Sequence, residues 1–463
     1  MKWILFIVLL ASVAPLASWL RRNPGRIPIA CLLLGLLPWD IIPHSYFAII
    51  SFATWPGHTA GLEWSIIDVL ALAIYFACPP ASQSLPFRFS MALYFVAILL
   101  PVGQGAVPMA ALFYVWQIAR MFIVYAAITR ACTADPQVPF AIVKGMAIGL
   151  MMEAGLVVFQ RLVLGMLQAT GTLPAQNFLG LMSHFAVFPV FALLLAGRKG
   201  RWLPLAAVAG VIVEIFTTSR ATIGLSLLGY ASLFLVSATR RWTSRKARIL
   251  TMGITVLAVA APVALLSLQA RFEKESQQPW ATGLSSFDDE NGRLGFEEVA
   301  KLMLADHPWG VGPNHYVIVA NQGGYNMQVG IPVSQDNLLA LVHNVYWLVA
   351  DETGYFGLLA YALLLLQPLV LAFRYAGRSR GDIRGDLLLG IAVALLIVYV
   401  HSNYEWIFIA FQNQYLFSLE MAMIVGLSRQ LGYGSHFRKQ IPLYAVPERP
   451  PFGPSQFKGP QLP

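Results

Sequence analysis

Three side chains carry the strongest chemical signal in this chain: Arg220 in Thr217-Thr218-Ser219-Arg220, Arg293 in Glu290-Asn291-Gly292-Arg293, and His343 in His343-Asn344-Val345-Tyr346-Trp347. A guanidinium stays protonated and offers paired N–H donors to an oxyanion. An imidazole, with an ordinary pKa of about 6.5, is mostly neutral at pH 7 and accepts a proton. Each residue also has a plainer reading. Arg220 can snorkel to a membrane surface, Arg293 can form a helix-end ion pair with Glu290 or Glu297, and His343 can sit incidentally in an interfacial aromatic belt.

The elements that hold these residues follow from composition. Of 463 residues, 57% are hydrophobic and 11% are charged, less than half the charged share of a typical soluble domain. Apolar runs of about 15 to 25 residues recur along the whole chain, and a helix needs roughly 20 to cross a bilayer. The expectation is an all-α, polytopic transmembrane bundle of about twelve or thirteen spans, since lipid offers backbone N–H and C=O groups no partners. The net charge of +9 sits in short basic loops, which speaks for a lipid bilayer as partner rather than nucleic acid. Cys31, Cys78 and Cys132 lie in or beside spans without metal-ligand spacing, so no disulfide framework is expected. The apolar run from Lys2 to Leu20, followed by Arg21, Arg22 and Arg26, reads as a retained span rather than a signal peptide.

The basic clusters Arg21 to Arg26, Arg198 to Arg201, Arg240 to Arg248 and Arg374 to Arg384 each fit a cytoplasmic turn. They divide the chain into an N-terminal bundle (1–200), two short spans and a third around an outward Ser219-Arg220 turn (201–268), and a large outer segment (269–342). C-terminal spans (343–430) and a disordered cytoplasmic tail (431–463) containing Pro447, Pro450, Pro451 and Pro454 complete it. Arg220 and the outer segment then share the non-cytoplasmic side, the periplasm in a Gram-negative cell. Pro38 and Pro43 interrupt the second apolar run and can turn it into a shallow hairpin.

The outer segment holds Glu273, Glu275, Asp288, Asp289, Glu290, Glu297, Glu298 and Asp306. A helix is predicted from about Leu294 to Ala305, with Phe296, Val299, Ala300 and Met303 on its apolar face. His307-Pro308 stops it and Trp309-Gly310-Val311-Gly312-Pro313 makes a tight turn. A second helix is predicted from near Leu338 through His343, which would align His343 with Tyr346, Trp347, Ala350, Asp351 and Gly354.

The string His343-Asn344, nine residues, then Gly354-Tyr355-Phe356-Gly357 resembles the signature of the O-antigen ligase and polymerase superfamily. Ser219-Arg220, Arg293 and His307-Pro308-Trp309-Gly310-Val311-Gly312 match it in order and location. The resemblance covers roughly residues 200 to 430. It implies a bacterial inner-membrane glycosyltransferase, metal-independent, cofactor-free and inverting, which moves glycans from a polyprenyl-diphosphate-linked oligosaccharide on the periplasmic face. It further implies that His343 is the catalytic base, that Arg220 and Arg293 bind the diphosphate, and that the acceptor is a glycan or lipid A-core hydroxyl. Asn344, Tyr346, Trp347, Asp351, Glu352, Trp309, Gly310 and Gly312 become candidate substrate contacts, and polysaccharide-assembly proteins candidate partners.

Other polar residues stay open. Asp351 and Glu352 can orient a sugar or can cap and pair. Asp68, Arg120, Lys144, Glu153, Arg161 and Glu214 lie in or beside spans, where an ionisable group costs roughly 2.5 to 3.5 kcal/mol at the centre, so some pairing is expected. They can line a groove or pair inside the bundle, and His184, His401 and Glu405 are equally two-sided. A transporter or flippase for lipid-linked saccharides, with Arg120 and Glu153 along its path, is the competing class. Protein O-glycosylation is the competing branch within the superfamily.

Overall fold

The computed structural model describes residues 2–41, 46–80, 83–277 and 290–434. Pro43, Asp288, Asp289 and the proline-rich tail lie outside the described residues, as do the side chains of Glu273, Glu275 and Glu290. The chain begins with α1 (Lys2–Arg22), α2 (Ile27–Leu36), β1 (Tyr46–Ser51), β2 (Gly61–Ser65), α3 (Ile66–Ala77) and α4 (Arg88–Leu99). It continues through α5 (Pro108–Ala134), α6 (Val138–Leu162), α7 (Gln176–Ala196), α8 (Trp202–Phe216), α9 (Arg220–Arg240) and α10 (Ser244–Gln277). Then come α11 (Glu290–Asp306), the short α12 (Tyr316–Gln322), α13 (Tyr325–Gln328) and α14 (Gln335–Leu339), and finally α15 (Val345–Arg378), α16 (Ile383–His401) and α17 (Phe411–Gln430).

Among the described residues, seven helices are long and apolar enough to cross a membrane: α1, α5, α6, α7, α9, α15 and α16. Four further apolar stretches, around α2, α3, α4 and α8, are 10 to 17 residues long. The protein is therefore a multi-pass helical membrane protein. Close helix crossings rest on small residues, as packing inside a bilayer requires. A Cβ at Gly145 would meet Leu32 O of α2 at 1.9 Å, and one at Gly426 of α17 would meet Cys132 of α5 at 2.3 Å. The three cysteines are buried and free. α17 is the hub, buried without a break from Gln412 to Ser428 and packed on α5, α15 and α16.

The helices alternate in direction, which separates two ends. At one end Arg21 bonds Phe76 O at the close of α3, and Arg130 at the close of α5 reaches Tyr75. There too Arg429 of α17 reaches Thr133, Arg384 of α16 reaches Gln430 O, and Arg240 of α9 faces Asp386 of α16. The basic clusters thus gather at a single end. The starts of α5, α7, α9, α15 and α17 and the close of α8 and α16 form the other.

Three features differ from expectation. The second apolar run stops at Pro38 in the short turn Leu37–Trp39, and the next regular element among the described residues is an antiparallel hairpin, β1 on β2, with an irregularity between Ala48 and Ile50. The bundle is all-α as expected, with this one unforeseen two-stranded hairpin set into it among the described residues: Tyr46-Phe47-Ala48-Ile49-Ile50 suits a strand, and Pro56-Gly57 in the connection cannot continue a helix. Second, α10 runs on to Gln277, so the segment expected as a loop from residue 269 opens helically. Third, α15 starts at Val345, not near Leu338. Asn344 is its N-cap, its side chain accepting from Tyr346 N at 3.0 Å and Trp347 N at 3.4 Å. His343 therefore precedes the helix and shares no helical face with Tyr346, Trp347, Ala350, Asp351 and Gly354.

α15 is itself interrupted at Gly354 (φ 71°, ψ −178°). The break releases backbone groups that the glycine turn satisfies: Val311 N donates to Asp351 O at 2.8 Å, Gly312 N to Glu352 O at 3.1 Å, and Tyr355 N to Pro308 O at 3.1 Å. Gly310 and Gly354 are pressed together in this clasp. A Cβ at Gly310 would stand 2.5 Å from Glu352 O, and one at Gly354 would stand 2.4 Å from Pro308 O. Gly354→Ala should accordingly lower stability by about 3 kcal/mol or more, combining a glycine-only conformation with backbone overlap. Gly330→Ala, also at positive φ but with nothing within 4 Å, should cost only about 1 kcal/mol. Thermal unfolding of both variants in detergent checks this, and equal Tm values would contradict the clasp.

Candidate active site

Glu405 organises the end of the bundle opposite the basic clusters. It lies in the turn between α16 and α17, its side chain 4% exposed, and it draws in residues from three other segments. Asn177 Nδ2, in the first turn of α7, donates to Glu405 Oε1 at 2.6 Å. Arg293 Nη2, in the first turn of α11, donates to the same oxygen at 3.3 Å, and Nη1 reaches Tyr404 O at 3.4 Å. His343 Nδ1 is 3.3 Å from Glu405 Oε2. Arg293 pairs with Glu405, while Glu297, one of its local candidates, faces Asn344 instead; the Glu290 side chain lies outside the described residues.

The local folding explains the convergence. α16 closes at His401, and Val345 N donates to Ser402 O at 3.0 Å, tying the start of α15 to the turn that bears Glu405. Asn344 Nδ2 reaches Glu297 Oε1 at 3.4 Å, one turn beyond Arg293 on α11. At the far end of α11, Tyr325 OH donates to Asp306 Oδ2 at 2.9 Å. Burial and that hydrogen bond push the Tyr325 hydroxyl up to about 12, so it remains a donor at neutral pH.

The chemistry of the pair is directional. A carboxylate at Glu405 only accepts, so the 3.3 Å contact suits Nδ1–H of His343 as the donor and turns Nε2 away from the acid. The His343 side chain is 26% exposed and that of Arg293 35%. A buried acid that orients a part-exposed histidine, beside a part-exposed guanidinium, can take a proton and stabilise an anion at one place.

Arg220 lies at the same end. Ser219 caps α9 by accepting from Thr222 N at 3.4 Å, and Thr218 adopts φ 49°, which makes the turn out of α8 tight. That turn carries the loop after α6: Thr218 Oγ1 donates to Leu167 O, and Arg161 Nη1 donates to Leu167 O at 2.7 Å. Arg220 is exposed, while Thr222 below it packs on Gly180 of α7, one turn from Asn177.

The remaining candidates divide by exposure. Tyr346 and Trp347 are half-buried, and Tyr346 OH donates to Tyr399 O at 2.7 Å. Trp309 is 68% exposed at the tip of the clasp whose backbone uses Gly310 and Gly312. Asp351 is fully buried, and neither of its oxygens has a hydrogen-bond partner among the described residues. Glu352 pairs with His58 at 3.1 Å and accepts from Tyr316 N at 3.3 Å, which leaves neither carboxylate on the surface with Tyr346 and Trp347. His58 belongs to the β1–β2 connection, where Thr59 N donates to Asn314 Oδ1 and Asn314 Nδ2 to Thr59 O.

Other ionisable groups are committed inside the bundle. Arg120 binds Asp68 at 3.0 Å and Tyr415, and faces Glu63 at 3.5 Å. Glu153 accepts from Thr172 N at 3.0 Å, and Glu214 from Tyr230 OH at 3.4 Å. Lys144 is exposed. His184 and His401 pair at 3.1 Å in the interior. No group of three or more His, Cys, Asp or Glu side chains is arranged to hold a metal ion among the described residues. Asn177 carries no motif, and Glu405 shows in the sequence only as an acid between the last two apolar runs.

No family model matches this chain, and no curated protein matches it.

If Glu405 couples the cluster, Arg293→Ala and Glu405→Ala should be non-additive in thermal stability. A double-mutant cycle should give an interaction of about 0.5 to 3 kcal/mol, and the His343→Ala with Glu405→Ala cycle should behave alike. Additivity within about 0.3 kcal/mol in both cycles would break the cluster into independent residues.

Proposed function

We propose that this protein is a bacterial inner-membrane glycosyltransferase of the O-antigen ligase and polymerase type, taking a polyprenyl-diphosphate-linked oligosaccharide as donor in surface or exported polysaccharide assembly. The observation that carries this reading is the Glu405-oriented His343 beside Arg293, at the end of the bundle remote from the basic clusters. Basic clusters mark the cytoplasmic ends of spans, so the site end is read as periplasmic. Counting the four short apolar stretches, α10 and α17 with the seven long helices gives about thirteen alternating crossings.

In this reading the acceptor hydroxyl gives its proton to Nε2 of His343 as its oxygen bonds to C1 of the donor sugar. The C1–O bond to the diphosphate breaks on the opposite face, and the leaving group keeps the electron pair. Its growing charge is met by Arg220 and Arg293, donors worth about 3 to 4 kcal/mol each by analogy with oxyanion-hole groups. Glu405 touches no substrate and holds the imidazole tautomer. Tyr346, Trp347 and Trp309, the part-exposed aromatic candidates, supply faces for sugar stacking.

A transporter reading has less support. Arg120, which would serve its path, is 2% exposed and closed in by Asp68, Tyr415 and Glu63. Glu153 is likewise engaged by Thr172.

The test is transfer by the purified full-length protein with lipid-linked repeat units. His343→Ala should lose roughly 10²- to 10⁴-fold in turnover while carrier binding stays within a few fold. Arg220→Ala and Arg293→Ala should each lose about 10²- to 10³-fold, with the lysine variants partly active. Full transfer by His343→Ala would overturn the catalytic assignment. A ladder of products from repeat units alone indicates a polymerase, and a strict need for a separate acceptor indicates a ligase or a protein-glycosylating enzyme.

A further inference from the structure

The opposite end of the bundle holds a second concave site. A cavity of about 260 Å³ opens between the close of α7 (Leu195, Ala196), the close of α9, the start of α10 and the α15–α16 turn. Its charged lining is Arg240, Arg241, Arg245, Lys246 and Asp386, so four cations against one carboxylate leave a net of three positive charges.

The cations are held in place by their surroundings. Lys246 Nζ donates to Ser237 O at 2.6 Å and Arg241 O at 2.7 Å, closing the end of α9. The guanidinium of Arg245 lies against Gly197, where a Cβ would stand 1.6 Å from Nη1. The side chain of Arg240 is 10% exposed, and its nearest carboxylate oxygen, Asp386 Oδ1, is 3.8 Å away. That distance is beyond a hydrogen bond, and Arg240 Nη1 is buried without a hydrogen-bond partner among the described residues. A buried guanidinium donor without an acceptor is costly, and an acceptor supplied from outside removes that cost. Trp242, 58% exposed beside the cavity, suits a membrane–water interface.

The geometry points to a phosphate-binding site here, formed by Arg240, Arg241, Arg245 and Lys246. Its ligand is a phosphate group, either the diester of an anionic phospholipid headgroup or a free phosphate. A tetrahedral oxyanion offers several acceptors to guanidinium forks from two helices at once, which a single carboxylate cannot match. Basic recesses between helices on the cytoplasmic side are suited to lipid headgroups. The site uses none of the residues assigned to glycan transfer.

The test uses the full-length protein in phosphate-free maltoside micelles, with Tm as the readout. The probes are inorganic phosphate alone, phosphatidylglycerol added to the micelles, and phosphatidylcholine, whose own ammonium covers its phosphate. A rise with phosphatidylglycerol well above that with phosphatidylcholine, without a response to inorganic phosphate, identifies a headgroup site. A rise with inorganic phosphate identifies a soluble ligand. Either result must be accompanied by an apparent affinity about tenfold or more weaker in Arg240→Ala, the loss expected for a charge-assisted hydrogen bond. Arg245→Ala should weaken binding and Asp386→Asn should strengthen it, and these two decide the matter if Arg240→Ala does not fold. No response of the wild type to phosphatidylglycerol or inorganic phosphate, or rim variants that both leave the response unchanged, would overturn the site.

Discussion

A helix broken inside an apolar bundle must find partners for the backbone groups it releases, because lipid supplies none. The interruption of α15 at Gly354 imposes that demand, and much of the site end depends on how it is met. The Pro308–Gly312 turn gives its N–H groups to Asp351 O and Glu352 O and takes Tyr355 N in return. Fixing that turn fixes the end of α11 on one side and Asn314 on the other. Asn314 then binds Thr59 in the β1–β2 connection, while Glu352 binds His58. The amino-terminal hairpin and the carboxyl-terminal helices are thereby locked to one another, and α11 is held where its first turn delivers Arg293 to Glu405.

The cluster around Glu405 is assembled from parts of the chain that local folding cannot bring together. Asn177, Arg293, His343 and Glu405 sit on separate elements, and one nearly buried carboxylate is satisfied only when all are present. Such an arrangement combines rigidity with access. Glu405 is withdrawn from solvent, while the imidazole and guanidinium it orients are partly open. In the transfer reaction proposed above, such preorganisation would spare the reacting state the reordering of its polar groups.

The features legible in the sequence are those with local causes. Long apolar runs mark α5, α6, α7, α15 and α16, and Ser219 before Arg220 marks the start of α9. The basic clusters mark one end of the bundle, where Arg21, Arg240, Arg384 and Arg429 are all found. The apolar face of α11 is also local in origin, and Phe296, Val299, Ala300 and Met303 are buried. Features with distant causes were not legible. Nothing near His58 announces Glu352, and nothing near Asn177 announces Glu405, because each pair is joined only by the closed bundle. The start of α15 was misplaced for a subtler reason: Leu338 to Val342 is apolar enough to continue a helix, yet the Asn344 cap competes for the first free N–H groups and wins.

α17 belongs to the bundle on different terms from the long apolar helices. It is twenty residues long, wholly enclosed from Gln412 to Ser428, and absent from the seven helices apolar enough to cross by composition. Gln412, Asn413, Gln414, Ser418 and Glu420 make its unaided transfer into lipid unfavourable. Two of its polar side chains find partners on preceding helices, Gln414 with Gln117 and Tyr415 with Asp68 and Arg120, while neither oxygen of Glu420 has a hydrogen-bond partner among the described residues. α17 is therefore kept in place by the helices that enclose it rather than by an affinity of its own for lipid, so its residence in the bundle is conditional on the packing around it.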